Sequence, residues 1–135
     1  MESPLVESVW VEIAQSSNKK PILVGCIYKH PGANIEELKD KFNETTIQFN
    51  ANRYQLYILG DMNIDFFKCN THPPTDAYLD MLYSNNLLPV VTKPTRLTYH
   101  TATLIDHIYT NSSRNVFSGI LTVDISDHLP LVSVL

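Results

Sequence analysis

Several things that stabilise or target a chain are scarce here. Of 135 residues only Cys26 and Cys69 are cysteines, and they show no metal-ligand spacing. Free thiols in a reducing compartment are therefore expected rather than a disulfide framework. No apolar run approaches the roughly 20 residues of a spanning helix; the best, residues 21–28, reads as a buried strand. Met1-Glu2-Ser3-Pro4 has neither a basic n-region nor an apolar h-region, so no secretory signal is expected. Positive charge is scarce as well. Ten Lys and Arg face 14 Asp and Glu, giving a net charge of -4 and a pI of about 5.6. That excludes a general electrostatic grip on nucleic acid. A phosphodiester ligand would need a local basic patch or a metal ion. What is present is enough for a core: 44% hydrophobic and 18% charged residues exclude disorder as the main state. The length is that of one domain, without internal repeats.

The pattern alternates short strands with helices. Val9, Val11 and Ile13 alternate with Trp10 and Glu12, and residues 22–28 follow a polar turn at 16–20, which predicts a hairpin. Asn34 is placed to cap a helix with Glu37 as the capping-box partner, and Ile35, Leu38, Phe42 and Phe49 recur at helical spacing. Residues 54–59 read as a buried strand ending at Gly60. Thr75 is expected to cap a second helix with Tyr78, Leu79 and Leu82 on one face. Further strands are expected at 87–92, 104–109, 116–123 and 129–135, with 93–96 as a loop. Strands outnumber helices and some are hairpin-linked, so an α+β fold with a mixed sheet and helices outside fits best.

Three polar clusters end apolar strands: Gly60-Asp61-Met62-Asn63, Ile105-Asp106-His107 and Ser126-Asp127-His128. Carboxylates suit hard divalent cations, a neutral histidine can move a proton near neutral pH, and an asparagine can donate to phosphate without adding charge. Singly the clusters are ordinary. Asp61 and Asn63 read equally as turn residues, and Asp127-His128 as a helix cap or loop pair. Asp106 is more informative, because a carboxylate inside an apolar strand needs a partner. His107 points to the opposite face by strand alternation and carries no expected role. Tyr28 reads also as a half-buried aromatic at a strand end. The sequons at Asn43-Glu44-Thr45 and Asn111-Ser112-Ser113 are taken as chance.

Taken in order, Gly60-Asp61-Met62-Asn63, Thr103-Leu104-Ile105-Asp106-His107-Ile108 and Ser126-Asp127-His128 resemble the signature of the endonuclease/exonuclease/phosphatase superfamily, the DNase I-like fold. Ile27-Tyr28-Lys29-His30-Pro31, residues 91–96 and residues 124–130 resemble most the endonuclease domain of LINE-type (non-LTR) retrotransposon proteins. The likeness runs over residues 5–135. It implies part of a four-layer α/β-sandwich, with mixed, mostly antiparallel sheets, outer helices and an active site at one edge. It also implies a metal-dependent phosphodiesterase that nicks DNA for target-primed reverse transcription, joined to a reverse transcriptase domain. By that resemblance His128 is the active-site histidine and Asp106 orients it. Asp61 lies beside the nucleophile, Asn63 and Tyr28 bind phosphate, and Asp127 is a metal-side carboxylate. Thr92, Thr103 and Ser126 are supporting hydroxyls at the substrate. The implied cofactor is Mg²⁺ or Mn²⁺ and the partner DNA, with no membrane and an intracellular, nuclear location if active.

The sequence also departs from the family pattern. Family domains open with an Asn-bearing strand end and then a metal-binding Glu, and residues 1–135 are expected to start after both, as a domain truncated on its N-terminal side. Glu2, Glu7 and Glu12 fall in or before the first strand and do not substitute. Weak metal binding follows as an expectation. So do two other readings of the chain: a catalytically inactive remnant, or a phosphatase of the same fold.

Overall fold

The computed structural model describes residues 5–112 and 116–134. Its core is a five-stranded mixed sheet. Strand β1 (Val6–Ile13) pairs antiparallel with β2 (Ile22–Lys29), the expected hairpin. β2 then runs parallel to β3 (Gln55–Asp61), which a hairpin cannot achieve, and helix α1 (Ile35–Phe49) makes the crossover. Asn34 caps that helix: its Oδ1 accepts from the Glu37 amide at 2.8 Å. Asn50 closes it in the left-handed region at φ 46°.

The second helix, α2, spans Pro73–Ser84. His72 holds the cap position and the two prolines open the first turn, where a missing N–H costs nothing. Thr75 is therefore not the expected cap. It lies inside the first turn, buried, with its hydroxyl 2.9 Å from His72 Nδ1.

The strand expected at 87–92 is reduced to β4 (Leu88–Pro89) at the sheet edge, followed by one more ladder bond from the Val90 amide to the Ile108 carbonyl at 2.9 Å; Pro89, with no N–H, fits an edge position. Part of the expected loop at 93–96 is instead strand. β5 (Arg96–Leu97) and β6 (Ala102–Thr103) form a small ribbon. β7 (Asp106–Thr110) enters the main sheet between β3 and β4. β8 (Phe117–Ile120) and β9 (Leu131–Val134) form a second ribbon. Leu135 lies outside the described residues.

Alternation gives the main sheet two faces. One carries Trp10, Leu23, Ile27, Leu56, Ile58, His107 and Tyr109 against both helices. Phe42, Phe66, Tyr78 and Tyr109 meet there edge-on, tilted or, for Phe66 with Tyr109, stacked, with centroids about 6 Å apart. The other carries Val11, Val24, Leu59, Asp61, Asp106 and Ile108. It faces a cavity of about 370 Å³ that Leu129, Leu131 and Ser133 close from the β9 side. Helix, sheet and ribbon layers are thus present. Among the described residues no helix covers the outer side of the ribbons.

The candidate active site

The site forms where β3 and β7 end side by side. Their antiparallel register sets Asp61 opposite Asp106. Like charges in that position repel, so this pairing is unfavourable unless something positive joins it. Gly60 allows the approach. It lies at φ +144°, and any Cβ there would run into the Ile27 carbonyl of the neighbouring strand. After Asp61 the chain turns through Asn63 at φ 47°, with the Asn63 amide donating to Asp61 Oδ1 at 3.0 Å. The Asn63 side-chain amide donates to the Lys29 carbonyl at 2.8 Å, which ties the turn to the end of β2.

His128 reaches this edge from the loop before β9. Its Nδ1 lies 3.0 and 3.1 Å from the two carboxylate oxygens of Asp106. A carboxylate only accepts, so Nδ1 carries a proton, and in the neutral ring that leaves the lone pair on Nε2. Asp61, Asp106 and His128 each bring one ligand-type atom within 4.8 Å of the others. Burial pushes the Asp61 carboxyl above its ordinary pKa and the Asp106 charge adds to this, while the Asn63 amide opposes. A divalent cation is the kind of group such a pair favours, and carboxylate oxygens are its natural ligands. With Asp106 engaged by His128, Asp61 is the carboxylate free to hold it.

The other sequence-predicted residues divide. Tyr28 stands on the same face of the sheet, 41% exposed, with its ring edge-on to His30. Ser126 accepts from the His128 amide at 3.2 Å and so shapes the loop. Thr103 sits in β6, where its carbonyl accepts from the Thr95 amide. Thr92 is exposed and lines a separate cleft with Ser118 and Leu129. Asp127 is outside the carboxylate cluster. Arg96 Nε donates to its Oδ2 at 2.7 Å, and that bond and charge hold the Asp127 carboxyl below its ordinary pKa. Its other oxygen, Oδ1, accepts from the Ser126 hydroxyl at 3.3 Å.

His107, expected to have no role at the site, is fully buried on the helix face and bonds the Ile64 carbonyl at 2.9 Å. The Asn111 amide is engaged with the Leu56 N–H and the Tyr54 carbonyl, in keeping with a chance sequon; Ser113 is outside the described residues. Sequence reasoning missed three neighbours of the site: Arg96, Thr95, and Lys29, whose amine is buried and donates to the His30 carbonyl at 3.2 Å. Lys29 and Arg96 were visible as the local cations an acidic chain would need. Thr95 lay within the 91–96 segment that carries the resemblance, but nothing singled out its hydroxyl.

This sheet order with an acid–histidine edge is the DNase I-like fold, the fold of the endonuclease/exonuclease/phosphatase proteins. Among solved structures the chain is similar to the endonuclease domain of TRAS1, a telomere-specific non-LTR retrotransposon. The TM-score is 0.75 at 18% identity, over 93% of this chain and 62% of that one. A mannosyl-6-phosphatase from Bacteroides thetaiotaomicron superposes at TM-score 0.64 and 16% identity, over 95% of this chain and 57% of the other. Beta toxin from Staphylococcus aureus does so at 0.65 and 16%, over 94% and 56%. The chain therefore spans less than two thirds of each of these. No family model and no curated protein matches the sequence. No helix among the described residues is long and apolar enough to cross a membrane.

Proposed function

We propose that this chain carries the histidine side of a metal-dependent phosphodiesterase site. We further propose that its substrate is DNA, nicked for target-primed reverse transcription by a retrotransposon protein that also bears a reverse transcriptase domain and works in the nucleus. The observation that carries the reading is the Asp106–His128 bond, set opposite Asp61 at an open strand edge. Asp106 fixes the Nδ1–H tautomer, which leaves His128 Nε2 to take a proton from an attacking water or to steady the scissile phosphate. Asp61 would orient that water. The second N–H of the Asn63 amide, with Tyr28, would hold phosphate oxygens. Asp61 would also hold Mg²⁺ or Mn²⁺, which supplies positive charge to the phosphate when bound.

The likeness to the TRAS1 endonuclease domain favours DNA as the substrate. The mannosyl-6-phosphatase likeness keeps a phosphatase of the same fold as the second reading. With one free carboxylate at the cluster, the 135-residue chain should bind Mg²⁺ weakly and nick slowly. The test is nicking of supercoiled plasmid in millimolar Mg²⁺ or Mn²⁺ with and without EDTA, beside His128→Ala and a phosphomonoester substrate. EDTA-sensitive nicking that falls about 10²–10⁴-fold in His128→Ala is expected. Equal nicking by the variant would sink the endonuclease reading, and release of phosphate from the monoester alone would favour the phosphatase.

A further inference from the structure

We infer that Thr95 is the positioning residue that sets the Asp106–His128 dyad; this rests on the reading of that dyad as the reaction centre. The partners lie 22 residues apart on different segments, and a bond of 3.0 Å between them needs both backbones held in register. Thr95 is fully buried and holds both. Its Oγ1 accepts from the amides of Ile105 at 3.2 Å and of Asp106 itself at 3.0 Å. Its carbonyl accepts from the amide of Leu129, the residue after His128, at 2.7 Å. Its own amide donates to the Thr103 carbonyl at 2.9 Å, which anchors it in the β5–β6 ribbon. The next residues extend the clamp: Arg96 forms a bridge with His128, and the Leu97 amide donates to the Asp127 carbonyl at 2.8 Å. One side-chain oxygen thus sets the start of β7, and the same residue's backbone sets the His128 loop.

The chemistry asks for a small side chain with an acceptor oxygen. Valine has the shape without the oxygen and would leave one buried and one part-buried amide without this partner. Serine keeps the oxygen. A misplacement of about 1 Å in a reacting group can cost about 10²-fold in rate, so the consequence should be read at the dyad more than in bulk stability.

The decisive measurement is the tautomer of His128 in the full chain, read from long-range ¹H–¹⁵N correlations at a pH where the ring is neutral. Asp106→Asn identifies the signal. The Nδ1–H form should persist in wild type, in Thr95→Ser and in Thr75→Val, a buried threonine on α2 away from the site. Thr95→Val should lose it, shifting the ring toward Nε2–H. Turnover of a phosphodiester by folded Thr95→Val should fall at least about tenfold with KM within about twofold, and Thr95→Ser should restore it. A folded Thr95→Val that keeps the wild-type tautomer overturns the inference. If that variant does not fold, Thr95→Cys, a poor acceptor of similar size, is judged by the same signal. Absence of cleavage by wild type would count against the proposed function, while the tautomer comparison would still decide the role of Thr95.

Discussion

The two faces of the central sheet are built from the same strands and differ in nearly everything else. The helix face is closed: Leu23, Ile27, Leu56, Ile58 and Tyr109 are each 6% exposed or less. Its imidazole, His107, lies tilted over Phe66 at 3.9 Å between centroids. The opposite face is covered only toward the β9 side, where Ile108 is buried, and is otherwise open. Val9 and Val11 stay more than half exposed, and the carboxylates of the site stand beside a cavity. Alternation places an apolar residue on either face with equal ease. On the helix face it finds a partner surface along the sheet, whereas on the other face cover is confined to the β9 side and a ligand can reach a carboxylate. Stability is concentrated on one side of this sheet and chemistry on the other.

That contrast can be broken first by cavities. Phe42→Ala on α1 removes a ring packed against Tyr78 and Tyr109 and should cost about 3–5 kcal/mol in urea unfolding. A loss below about 1 kcal/mol would mean that the helix layer is not the main store of stability.

The second test is acid. Burial lowers the pKa of His107 to about 4 from the ordinary 6.5. The unfolded chain therefore takes up a proton before the folded one does. The stability associated with a neutral His107 is complete above about pH 6.5 and falls as pH drops toward 4, by roughly 3 kcal/mol. His107→Gln, which keeps a donor for the Ile64 carbonyl, should flatten that slope.

The open face should titrate in the opposite sense. The Asp61 carboxyl is raised, chiefly by burial, so the folded chain favours its protonated form. Asp61 weighs on stability once pH rises through its raised folded value and has no such effect below the unfolded carboxyl range near 4. Asp61→Asn should therefore raise the urea midpoint at pH 7 in the absence of metal, and the gain should vanish below about pH 4. A gain that persists in acid would place its origin elsewhere than in charge. The smallest effect belongs to Val11→Thr, which should change stability by no more than about 0.5 kcal/mol, since the side chain is 54% exposed.

Much of this was legible in the sequence because it is local. Asn34 with Glu37 marks the start of α1, the alternation of residues 9–13 marks β1, and Asp106 inside an apolar strand asks for a partner. The misreadings were local conflicts in which a stronger constraint won. Pro73 and Pro74 set the helix start that Thr75 was expected to set, and the apolar run 87–92 forms only a short edge strand at Leu88–Pro89. Asp127 lay beyond local reading. Its place against Arg96 depends on pairing between segments 31 residues apart.

The sequence by itself determined the period of each element, the deficit of positive charge and the chemical kinds available at three strand ends. These follow from near neighbours along the chain. Tertiary structure decided which of those groups meet. The β3–β7 register sets Asp61 against Asp106, the loop before β9 brings His128 onto Asp106, and Arg96 pairs with Asp127. It also gave a role to the Thr95 hydroxyl, which the sequence did not single out, because a buried hydroxyl gains its meaning from the amides that fold around it. Hydrogen bonds of 3 Å between distant segments are properties of the packed sheet, and no periodicity along the chain records them.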